Sequence, residues 1–230
     1  MTDLKLPSAM AELRPVLGEI VTQGQERAPY FSILLSSKDG LQIEVDNREE
    51  RVRERTPVAG TVLSAFDGQT TYERAVSGFD RNEVQQATRE LVQSASFAKY
   101  TPGNESYRQG NFATSLQIDP ADLSLQEKLD RCRELHSRVK GRDPRIVNAQ
   151  VRYLESNEHA VFASRGADLA QRVQRVNLFI FVVMAGEDGQ VKYDYTSKAG
   201  GAGWEVLSFT DEEIQRVVDG AIALLGSERI

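Results

Sequence analysis

Cysteine is almost absent from this chain. Cys132 is the single one in 230 residues, so no disulfide can form within the chain, and a reducing compartment fits. Histidine is nearly as scarce, with only His136 and His159. No HExxH, paired CxxC, GxSxG or Walker-type GxxxxGK occurs, which removes the common zinc-protease, zinc-ribbon, hydrolase and phosphate-loop signatures. Long apolar runs are missing too. The longest, "LFIFVVM" from Leu178 to Met184, falls far short of the roughly 20 residues a membrane helix needs. The opening "MTDLKLPSAM" has no apolar signal core, and the expected location is the cytoplasm. Positive charge is not in excess: 28 Lys and Arg face 34 Asp and Glu, for a net charge of −6. Neither nucleic acid nor a membrane is therefore expected as a partner. "NES" at Asn104 matches a glycosylation sequon, which means nothing in a chain without an export signal.

What is present looks like an ordinary globular protein, 40% apolar and 27% charged. Leu13, Val16, Leu17, Ile20 and Val21 lie on one face of a helix that opens at Ser8 and stops at Gly24. Strands are expected at "YFSILLSS", at "LQIEVDN" after a "KDG" turn, at "VAGTVLSAF" and at "TTYERAV". "REERVRERTP" is a solvated strand or sheet edge, its arginines matched by glutamates. Asp80 and Glu83, Ser124 and Glu127, and Thr210 and Glu213 each have capping-box spacing ahead of a helix. The second half has strand candidates at 145–155, 158–164, 169–185 and 190–197, with the "GEDG" turn before the last. The expectation is α+β: two α-β-β-β-β-α halves, a mostly antiparallel sheet, and helices packed on one face. Residues 1–98 form the first half, 99–123 a polar connection, and 124–230 the second half. Beyond Val176 both faces of the third strand are apolar, so that end is expected to be covered on both sides.

Few residues invite chemistry. Cys132 and His136 share a helical face and could supply two metal ligands. They also fall in the stripe Leu125, Leu129, Cys132, His136 and Val139, where a core role is simpler. His159, at the start of a strand, reads as a surface residue. The run "SKAGGAGWEVL" (197–207) is too far from the Thr210 cap for a dinucleotide loop. Its glycines fit a tight bend, a close backbone approach or an edge open to a partner. Gly200, Gly201, Gly203 and Trp204 are the candidate peptide-binding residues. No catalytic residue and no metal ligand can be assigned.

The order of these motifs resembles one family. An "EKL" helix ends in "DPR"; a strand pair follows, with "ASRG" before the long third strand. The fourth strand then runs into Gly200, Gly201, Gly203, Trp204 and Glu205. This is similar to the N-terminal domain of the TldD/PmbA metallopeptidases, once called modulators of DNA gyrase. "YFSILLSSKDGLQIEVDNREERVRE" resembles the family's opening strands, whereas "VAGTVLSAFDG" only weakly matches the glycine-rich signature that follows. The resemblance implies a two-domain protein whose C-terminal domain carries HExxxH and binds zinc. It also implies a dimer, with a TldD/TldE-like subunit or with itself, enclosing a passage for peptide or unfolded protein. The sequence departs from that pattern in having no HE pair. The expectation is a non-catalytic domain or split subunit with no cofactor of its own, zinc belonging to a C-terminal domain beyond this sequence. The alternative is a free-standing protein-interaction module with no protease partner.

Overall fold

The capping signals fix three helix starts. Ser124 and Glu127 exchange side-chain and backbone hydrogen bonds at the head of α4 (Leu125–Lys140), and Thr210 and Glu213 do the same for α5 (Asp211–Leu225). Asp80 accepts from the Asn82 and Glu83 N–H groups at the head of α3 (Arg81–Ser94). Each cap satisfies N–H groups that a helix start otherwise leaves unpaired. The first helix is divided: α1 (Ser8–Leu13) passes through a 3-10 turn at Arg14–Val16 into α2 (Leu17–Gln25). Pro15 sits in that turn, where its missing N–H breaks the helical ladder.

The computed structural model describes residues 4–103 and 106–227; the sequon at Asn104 starts outside them. Its strands are β1 (Tyr30–Asp46), β2 (Glu50–Phe66), β3 (Thr71–Ser77), β4 (Arg108–Ala113), β5 (Ile146–Ser164), β6 (Ala167–Ala185) and β7 (Val191–Gly200). They form a sheet of order β3-β2-β1-β5-β6-β4, with β7 also on β6. The fold class is α+β, as expected. β3 pairs antiparallel with β2, and β7 with β6, while β4 runs parallel to residues 167–172 of β6.

The expected pair of four-strand halves needs correction. "KDG" is not a turn, because β1 continues through it. Gly40 is there for a close approach: a Cβ would lie 2.5 Å from the Glu155 backbone oxygen. Likewise β5 is one strand where two were expected. The connection holds a strand of its own, β4, too short and polar to announce itself. α2 ends at Gln25, one residue past the expected stop at Gly24, whose bare Cα admits the Phe31 ring.

Contacts divide the chain into two compact units that interleave in sequence. One comprises residues up to Asp39, Pro57–Ala113 and Asn157–Val173; the other comprises Gly40–Thr56, Thr114–Ser156 and the residues from Gln174 onward. Strands of 17 to 19 residues are long enough to contribute to both. A division at residues 99–123 follows chain order instead. In the first unit, Phe31, Ile33, Leu63 and Val161 pack against Leu17, Ile20, Val84 and Leu91. His159 lies in this unit at 6% exposure rather than on the surface. Burial and the Arg172 charge hold its pKa below the usual histidine value.

In the second unit, Ile43, Val151, Tyr153, Ile180 and Val182 pack against Cys132, Val139, Ile214 and Val218. Burying each such aliphatic side chain contributes about 1.5–3 kcal/mol. The helix α4 is turned slightly from the expected stripe. Lys128, Cys132, Leu135 and Val139 face inward, while Leu125 is exposed. His136 sits at the margin with Nε2 3.1 Å from Asn47 Oδ1. Lys128 is buried because Nζ meets both Glu155 oxygens at 2.8 Å, and the Tyr153 hydroxyl donates to the same carboxylate at 2.5 Å.

Candidate interaction face

Strand periodicity divides the second unit's sheet into two sides. Leu178, Ile180, Val182 and Met184 of β6 are buried against the helices. Phe179, Phe181 and Val183 point the other way and are only half-buried. The expectation that this end of the strand is covered on both sides is thus corrected. Its second face is apolar yet open among the described residues.

The neighbouring strands extend this open side. Tyr193 pairs in register with Val183, and Tyr195 with Phe181; the two tyrosines are 63% and 57% exposed. Phe181 stacks on Phe179 at 5.9 Å and on Tyr195 at 5.6 Å between ring centroids. From β5, the Arg152 guanidinium lies 5.7 Å above the Phe181 ring, a cation–π arrangement. Arg152 Nε is also 3.3 Å from Glu44 Oε2 of β1. Glu44 Oε1 accepts from Arg51 Nη1 of β2 at 3.2 Å and from Gln150 Nε2 at 2.8 Å. Aromatic side chains therefore occupy the β6–β7 end of the face, and Arg152 links them to Glu44 and Arg51 on β1 and β2.

β7 bounds this face. Among the described strands it pairs with β6 alone, so its other edge offers unpaired backbone groups. The glycine cluster follows directly. Gly200 closes β7, and neither it nor Gly201 is crowded: an added Cβ would make ordinary contacts at 3.6 and 3.9 Å. Gly203 is different, since a Cβ there would fall on the Ile118 carbonyl oxygen. That oxygen accepts from Trp204 N–H at 2.9 Å, and Glu205 accepts from the Ile118 and Gly203 N–H groups at 2.9 and 3.0 Å. Burial opposes ionisation of Glu205, but these and neighbouring N–H donors outweigh it and lower its pKa. Trp204 is 8% exposed, packed on Tyr153 at 4.5 Å with Arg131 above its ring.

The structure thus separates the four sequence candidates. Gly200 and Gly201 end the open edge, whereas Gly203 and buried Trp204 hold the exposed segment at Ile118 by backbone contact. Phe179, Phe181, Tyr193, Tyr195 and Arg152 were not singled out from sequence. Among the described residues no group of three or more His, Cys, Asp and Glu could hold a metal ion. Cys132 is buried, and burial pushes its thiol up to about 12. Among the same residues no helix is long and apolar enough to cross a membrane.

Comparison with known proteins adds to this geometry. A family model described as the PmbA/TldA metallopeptidase central domain matches residues 118–227. A metalloprotease of Synechocystis is 22% identical over 224 residues, covering 94% of this chain and 47% of the relative. A modulator of DNA gyrase from Thermotoga maritima superposes with a TM-score of 0.70 at 15% identity, over 96% of this chain and 50% of its own. Its counterpart from Bacteroides thetaiotaomicron gives 0.69 at 14%, over 98% and 52%. TldE from Thermococcus kodakarensis gives 0.56 at 14%, over 94% and 47%. The chain spans about half the length of these relatives, and the structural likenesses show a shared fold.

Proposed function

We propose that this chain, which belongs to the TldD/PmbA family, is a non-catalytic part of a zinc metallopeptidase that holds unfolded polypeptide. The open face of the second unit forms one wall of a peptide passage, and the rest of the enclosure comes from a TldD/TldE-like subunit or a second copy. Zinc and its ligands are supplied from outside this sequence, which contains no HE pair. The working location is the cytoplasm.

One observation carries this reading: half-buried Phe179 and Phe181 and exposed Tyr193 and Tyr195 line a sheet face that ends in the free edge of β7. Backbone hydrogen bonds along such an edge accept any sequence, as a peptide channel requires, and the aromatic rings add apolar contact. The test is fluorescence anisotropy of a labelled, carboxymethylated unfolded protein titrated with the full chain. Saturable binding is expected, and Y193D/Y195D should weaken it about tenfold, or ~1.4 kcal/mol, while circular dichroism stays unchanged. No binding by the wild-type chain refutes the reading.

A further inference from the structure

We infer that the polypeptide taken by this face is acidic, with an aromatic or large apolar residue about six positions from its carboxylates. The inference rests on the passage-wall reading and names its substrate class. Its basis is the distribution of charge across the open side of the second unit.

Arg51, Arg53 and Arg55 alternate along β2, so they share one side of the strand. Two contacts identify that side as the open one. Arg51 reaches Glu44, which lies opposite the buried Ile43 and Val45. The Arg55 Cδ lies 3.4 Å from where a Cβ on Gly40 would stand, two strand periods before Glu44. The adjacent Glu50 points the other way, to Arg133 of α4. Arg152 makes a fourth guanidinium on the same side.

Carboxylates pair with only two of them among the described residues. Glu44 is shared by Arg51 and Arg152, and Glu49 also pairs with Arg51. Asp46, on the same side of β1, accepts from the Arg48 and Glu49 N–H groups of its own turn. Arg53 and Arg55 form no ion pair among the described residues and are exposed. A chain of net charge −6 therefore presents a cationic strip on the face that also bears its aromatic stack. Such complementarity selects an oppositely charged partner and speeds its capture.

Strand order sets the spacing. From β7 to β2 the face crosses β6, β5 and β1. Four inter-strand steps of about 4.8 Å make about 19 Å, the span of about six extended residues. A segment that crosses the face at right angles to the strands, next to one paired along β7, then places its aromatic residue on Phe181 and Tyr195 and its carboxylates at Arg53 and Arg55.

The test uses the full chain and fluorescein-labelled dodecapeptides carrying one phenylalanine and, six residues on, three aspartates or three lysines. The aspartate peptide should bind at least about tenfold more tightly, and its binding should weaken between about 50 and 200 mM salt. R53E/R55E, which changes only exposed side chains, should reverse the preference. Equal binding of both peptides overturns the acidic-substrate inference while leaving the passage-wall reading standing. No binding of either, together with no binding of unfolded protein, removes both. Tighter binding of a labelled oligothymidine than of the aspartate peptide overturns the inference in favour of single-stranded nucleic acid.

Discussion

Replacing Gly203 with alanine should loosen the second unit although it adds only one methyl group. Gly203 has φ −94° and ψ −163°, backbone that alanine adopts without strain. The cost comes from contact alone. The new methyl would fall on the Ile118 carbonyl oxygen and crowd Glu205 Oε2 at 2.5 Å. A backbone carbonyl cannot swing aside as a flexible side chain can, so the 118 segment must retreat. Two bonds then weaken: Trp204 N–H to Ile118 O and Ile118 N–H to Glu205, each 2.9 Å. Each contributes about 1 kcal/mol. Displacing Trp204 from Tyr153 removes about 1 kcal/mol more. The expected loss is about 3 kcal/mol. With a urea dependence of about 3 kcal/mol per molar, the midpoint falls by about 1 M. The assay is intrinsic fluorescence, because Trp204 is the only tryptophan and reports this unit directly. Gly201→Ala is the control: its methyl meets nothing nearer than the Gln174 oxygen at 3.9 Å, and it should change stability by no more than about 0.5 kcal/mol. Equal midpoints for the two variants would refute the close-approach reading of the glycine cluster.

Lys128→Met strands the Glu155 carboxylate in a mostly buried position, with the Tyr153 hydroxyl as its one remaining side-chain partner among the described residues. A loss of about 3–5 kcal/mol in thermal unfolding is expected, and Lys128→Met/Glu155→Leu should recover most of it. Cys132 should resist iodoacetamide at pH 8 in the native chain and react quickly in urea, since burial raises its thiol to about 12. The folded value lies above the unfolded one, so this stabilisation is complete below about pH 9 and is lost as pH rises toward 12. Cys132→Ala should flatten that limb of the stability curve, which otherwise falls by up to ~1.4 kcal/mol per pH unit. Asp143 is held at about 2 by the Arg145 guanidinium and Arg145 N–H. Its contribution is present above its unfolded value and fades as pH falls toward 2, and Asp143→Asn should remove that dependence in acid titrations followed by circular dichroism.

Local signals carried well from sequence. The capping boxes at Ser124 and Thr210 and the turns at Gly68 and Gly189, with φ of 90° and 77°, are set by neighbours in the chain. Lys38-Asp39-Gly40 misled because glycine there serves a strand contact across the sheet, invisible in a local window. β4 was missed because its parallel pairing with β6 lends order to a segment with no apolar alternation of its own. The open face was half legible. Alternation showed that β6 is apolar on both sides, but sequence could not say which side the helices leave bare. The period-2 arginines of β2 are plain in the sequence but fit a solvated strand equally well, since only the Glu44 and Gly40 contacts reveal which side they share.

Two of the sheet's free borders are guarded differently. Residues 50–58 of β2 lie beyond the stretch paired with β3 and interpose Pro57 and a run of alternating charges, so another strand docking there would meet repulsion and a missing donor. β7 carries no proline, and its outward positions hold tyrosine, serine and alanine. One margin thus carries built-in obstacles to pairing and the other lacks them, which makes self-association through β7 the expected hazard at high concentration.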